Sequence, residues 1–63
     1  MKKIVYVLCD LEDGSHEGML LLNENQIVSE KDRDHLGYYP LLTYIDENGE
    51  EWEESFIDKI IID

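Results

Sequence analysis

A chain of sixty-three residues holds one small domain, and at that size folding buries only about 60% of the surface the unfolded chain exposes. Sixteen Asp and Glu against five Lys and Arg leave a formal net charge of -11, which excludes direct nucleic-acid binding and docking on an anionic membrane, since both need a basic footprint. The single cysteine, Cys9, excludes an internal disulfide and any multi-cysteine zinc site, and suits a reducing, cytoplasmic setting.

In chain order, residues 2 to 9 predict a strand: two lysines lead into the apolar run Ile4 to Cys9, rich in Val, Ile and Tyr and of strand length. Asp10 cuts the run too early for the core of a secretory signal, and no segment approaches the roughly 20 apolar residues of a membrane span. Leu11 to His16 reads as a turn around Gly14. Gly18 to Leu22 predicts a second strand and Gln26 to Ser29 a short third. The mixed charges of Glu30-Lys31-Asp32-Arg33-Asp34 predict a solvated loop.

Pro40 lacks an amide hydrogen and should open or edge the strand Leu41 to Ile45. Asn48-Gly49 then predicts a two-residue type I′ hairpin, because both central residues of that turn need positive φ. That register sets Glu47 against Glu50, Asp46 against Glu51 and Ile45 against Trp52. Leu41, Ile45, Trp52 and Phe56 then share a core face, and Tyr44 points away from it. Trp52, Phe56 and Ile60 recur at helical spacing, but Ile60-Ile61-Ile62 is a β-branched run with poor helix propensity. The expectation is a strand through Ser55, a tight turn at Phe56-Ile57-Asp58 and a last strand at Lys59 to Ile62.

Leu41 to Ile62 resembles the end of small SH3-like barrels, which close with a hairpin, one helical turn and a short strand. The resemblance implies an all-β fold: a small five-stranded barrel or curled antiparallel sheet. A β-sheet with one C-terminal helix is the alternative. The paired tryptophans of peptide-binding SH3 domains are not matched by the lone Trp52, so no ligand-binding residue carries over.

No catalytic residue is expected. Cys9 lies in an apolar run among carboxylates, which favour the thiol over the reactive thiolate. No cofactor site or dedicated metal site is expected either. Asp10, Glu12, Asp13, His16 and Glu17 cluster, as do Asp46, Glu47 and Glu50, but neither spacing is that of a calcium loop. The features pointing to a partner are the acidic run Asp46, Glu47, Glu50, Glu51, Glu53 and Glu54 and the tyrosines Tyr38, Tyr39 and Tyr44. Carboxylates beside aromatic groups suit a basic protein surface. The leading expectation is a non-enzymatic inhibitor that imitates phosphate charge and occupies the basic groove of a nuclease or other nucleic-acid-binding enzyme. In size and charge the chain resembles small acidic phage-encoded inhibitors. An adaptor, homodimeric through an exposed strand edge, is the alternative, and a weak divalent-cation binder the third reading.

Overall fold

The computed structural model describes residues 2–10 and 13–62. They form an all-β fold of five antiparallel strands: β1 (Lys3–Cys9), β2 (His16–Asn23), β3 (Ile27–Lys31), β4 (Leu41–Ile45) and β5 (Glu51–Ile62). The order across the sheet is β2-β1-β5-β4-β3. Among the described residues the only helical pieces are 3-10 turns at Glu24–Gln26 and Asp34–Leu36, and no helix is long and apolar enough to cross a membrane. Leu11 and Glu12 of the first expected turn lie outside the described residues. Asp13 to Ser15 turn as expected, with Gly14 at φ 72 and the Asp10 amide donating to Ser15 O, but His16, expected in the turn, already opens β2, which starts two residues before the expected Gly18.

The β4–β5 hairpin departs from the expected register by one residue. Ile45 pairs with Glu51, Tyr44 with Trp52, Thr43 with Glu53, Leu42 with Glu54 and Leu41 with Ser55. A type I′ turn would need positive φ at Asn48, and the described residues hold no non-glycine with positive φ. Instead, the Gly49 amide donates to Asp46 O and only Gly49 is left-handed, at φ 84. This is a three-residue loop: a type I turn followed by a glycine bulge. Asp46 decides the outcome. Its Oδ1 accepts the amides of Asn48 (2.8 Å) and Glu50 (2.9 Å), which holds the wider loop.

A one-residue slip exchanges the residues of β4 that share a face with a given residue of β5. Leu42 and Tyr44, rather than Leu41 and Ile45, therefore join Phe56 in the core. Tyr44, expected to point outward, is buried. Trp52, expected in the core, lies on the core side but beyond its end and is 47% exposed. The expected like-charge pairs Glu47–Glu50 and Asp46–Glu51 are replaced: Glu51, Glu53 and Glu54 face Ile45, Thr43 and Leu42, while Asp46 now stands opposite Glu50, its amide donating to Glu50 O.

The expected turn at Phe56–Asp58 is also replaced. β5 runs unbroken from Glu51 to Ile62 and pairs first with β4, then with β1. At the junction Val7 pairs with Asp58 and Leu8 with Phe56, which leaves Ile57 as an extra residue. Such a bulge bends a strand and lets it serve two half-sheets. Curling the sheet about this point gathers Ile4, Tyr6, Leu22, Leu42, Tyr44 and Phe56 into one cluster, with the Tyr6 and Phe56 rings edge to face at 5.0 Å.

The charged run expected to be a solvated loop closes the curl. Glu30 stands in β3, accepts the Tyr6 hydroxyl and pairs with Lys59 Nζ at 2.7 Å, tying β3 to β1 and β5. Arg33 donates through Nε and Nη2 to Tyr39 O (2.8 and 2.5 Å) and through Nη2 to Ser55 Oγ (2.9 Å). The two long side chains thus act as cross-links, which no local charge pattern reveals.

Candidate functional site

The hairpin tip gathers the acidic side chains. Glu47 lies in the loop and Glu50 closes it, and Glu51 and Glu53 follow on alternate positions of β5, so both stand on its outer face. All four are exposed. Residues 46 to 54 contain no Lys or Arg, and the one ion pair among the described residues joins Lys59 to Glu30, away from this tip. Four charges therefore gather at the hairpin tip, none of them in an ion pair among the described residues; Lys3 of β1 lines a small groove with Glu47. Glu54 is half-buried on the opposite face of β5, where its charge helps to push up the Tyr44 hydroxyl after the larger effect of burial.

Asp46 serves the fold of the loop rather than its surface. Beyond the two amides at Oδ1, its Oδ2 accepts the Trp52 indole N–H at 2.8 Å. That hydrogen bond, with the turn amides, holds its carboxyl below the usual carboxylate range. The same bond pins Trp52 in a half-exposed position beside a groove formed with Leu20, Leu22, Gln26 and Tyr44. A fixed, half-exposed tryptophan rimmed by carboxylates is the kind of anchor on which binding energy concentrates. Placing Trp52 in the core hides this residue. The signal that uncovers it is Asp at the first and Gly at the fourth position of Asp46-Glu47-Asn48-Gly49, the preference of a type I turn.

The tyrosines expected at the same surface are dispersed. Tyr44 is in the core. Tyr38 and Tyr39 are 41% and 38% exposed but precede β4, whereas the acidic loop follows it. The four steps from Leu41 to Ile45 separate the two groups by roughly 14 Å. Tyr38 lies under the Arg33 guanidinium, 5.8 Å from its ring centroid. Tyr39 packs on Gly14, where a β-carbon would come within 2.5 Å of its hydroxyl oxygen.

Cys9 is buried, as expected, and burial, with the nearby Glu17 and Asp10 charges, pushes its thiol up. Among the described residues no three His, Cys, Asp or Glu side chains converge as a metal site. In both acidic loops carboxylate oxygens are turned to backbone amides, Asp13 Oδ1 accepting Ser15 N–H at 2.8 Å as Asp46 does in the hairpin.

Comparison with protein families, with curated proteins and with solved structures finds no match to this chain.

Proposed function

We propose that this chain is a non-enzymatic inhibitor that sets its β4–β5 hairpin on the basic, nucleic-acid-binding surface of another protein. The observation that carries the reading is the set of four exposed carboxylates, Glu47, Glu50, Glu51 and Glu53, with no cation in the segment that bears them. Concentrated like charge costs free energy in the isolated protein. A surface rich in Lys and Arg offsets that cost and is found quickly, because opposite fields steer the encounter. Trp52 adds a desolvated contact at the edge of the charged tip, and the short loop held by Asp46 keeps both in place before binding. In the same reading the protein works in the cytoplasm, and it resembles small phage-encoded inhibitors in size and charge.

The test compares the native protein with a variant carrying Glu47→Gln, Glu50→Gln, Glu51→Gln and Glu53→Gln, each immobilised and exposed to cell lysate. The native protein should retain a nucleic-acid-binding enzyme that duplex DNA or salt releases, and should inhibit that enzyme in solution. The Gln variant should retain at least about tenfold less, as expected when several interfacial charges are removed. Equal retention by the two proteins, or a captured partner indifferent to DNA, overturns the proposal.

A further inference from the structure

Beyond the hairpin, the outer face of the β2-β1-β5 half-sheet is apolar. Register places Leu21, Val5 and Ile60 in one row across the three strands. The next row toward one end holds Met19, Val7 and Asp58, and the next toward the other holds Asn23, Lys3 and Ile62. Alternation along each strand turns these residues away from Ile4, Tyr6 and Leu22 of the core. Met19 is 70% exposed, Leu21 55%, Ile60 54% and Ile62 46%, and Val5 and Val7 are half-buried between them. Among the described residues eleven large hydrophobic side chains stand exposed while seven hydrophobic residues are buried, so the core leaves much of the apolar content to the surface.

We propose that this face docks on the same face of a second copy of the chain. Its two charged groups make it self-complementary. Lys3 lies at one end, Asp58 at the other, and neither has an ion pair among the described residues. A two-fold axis lying between the sheets and across the strands sets β1 over β1 and β5 over β5 with their directions reversed. Lys3 of each copy then lies diagonally opposite Asp58 of the other, with Val5, Leu21 and Ile60 sealed at the centre. Sheets stack about 10 Å apart, a gap that a lysine stem and an aspartate can bridge. Three strands of five residues cover roughly 15 by 17 Å. That is well below the approximately 800 Å² per partner of a standard interface, so the dimer is weak and depends on concentration. The charge of -11 on each copy opposes association, and salt removes that opposition while leaving apolar burial intact.

Sedimentation equilibrium up to about 1 mM protein, where weak interfaces fill, tests the proposal. A monomer–dimer equilibrium is expected that tightens roughly tenfold from low to high sodium chloride as the repulsion is screened. Salt should therefore act here in the opposite sense to its action on the hairpin's partner. Replacing all four hairpin carboxylates with Gln should leave dimerisation intact or strengthen it, so failure of one proposal is distinguishable from failure of the other. Ile60→Lys and, separately, Met19→Lys lower the net negative charge yet should abolish the dimer, and both sites are exposed enough to spare the fold. Lys3→Asp should weaken it, and Lys3→Asp with Asp58→Lys should restore it. A monomer at every concentration overturns the proposal. So does a dimer that survives both lysine variants, which would mean pairing through the free edge of β2 or β3, or a charge-swapped pair that fails to recover.

Discussion

Tyr6 is wholly buried yet carries a hydroxyl, and Glu30 gives that hydroxyl its acceptor across the opening of the curled sheet. Burial and the adjoining carboxylate both push the Tyr6 hydroxyl above its ordinary range. Burial acts to raise the Glu30 carboxyl, but its bonds to Lys59 and Tyr6 and the Lys59 charge outweigh this and hold it below its usual value. A carboxyl lowered by folding contributes stability that is complete above its unfolded pKa, about 4.3, and is lost as pH falls through the folded value. Glu30→Gln should therefore cost about 1–2 kcal/mol near neutral pH, the worth of a part-buried, charge-assisted hydrogen bond. The gap between the two proteins should close below about pH 4 as the native carboxylate protonates. Urea titrations across that range measure it. A variant as stable as the native protein at pH 7 would show that the gain from lowering the net charge equals the worth of this closure.

At the scale of the element, the hairpin separates two turns that Asn-Gly could form. The observed loop needs positive φ at Gly49 alone. Gly49→Val should destabilise the protein by roughly 1–2 kcal/mol or more, because a β-branched residue resists the left-handed region. Asn48→Ala should stay within about 0.5 kcal/mol, since Asn48 has ordinary φ and its amide bond to Asp46 is kept. Thermal melts of the two variants make the comparison. Equal damage from both would point back to the type I′ turn and to its register. The bulge at Ile57 is the other device of this element: β5 can border β4 and β1 in succession because the extra residue bends it.

At the scale of the molecule, charge and apolar surface oppose each other. The net charge of -11 is spread over a chain in which seven hydrophobic residues are buried among those described. Added salt should raise the melting temperature of the free protein by about 5 °C, the shift that roughly 1 kcal/mol produces in a domain this small. Glu47→Gln with Glu50→Gln should raise it at low salt and add little at high salt, where the native repulsion is already screened. Scanning calorimetry at several salt and protein concentrations separates this screening from self-association, because only the latter makes the midpoint depend on protein concentration. A midpoint that does not move with salt would mean that the exposed carboxylates are spaced too widely to repel.

The all-β class, the strands near Lys3–Cys9, His16–Asn23 and Leu41–Ile45, the positive φ of Gly14 and the burial of Cys9 were legible in the residues alone. Each follows from local preference: β-branched and aromatic runs, glycine at a turn, a thiol within an apolar strand. The concentration of acid around the hairpin was equally plain, being a property of composition along the chain. Tertiary structure decided which of those groups reach the surface together. A side-chain bond from Asp46 selected one loop over another, and the resulting one-residue slip carried Tyr44 inward and left Trp52 half in solvent. The roles of Glu30 and Arg33 were decided there as well, since their partners lie up to twenty-nine positions away and meet them only when the sheet curls. Local pattern records what a residue prefers. Register and closure record which long-range contacts win, and their energies are set by neighbours that the chain brings together only on folding.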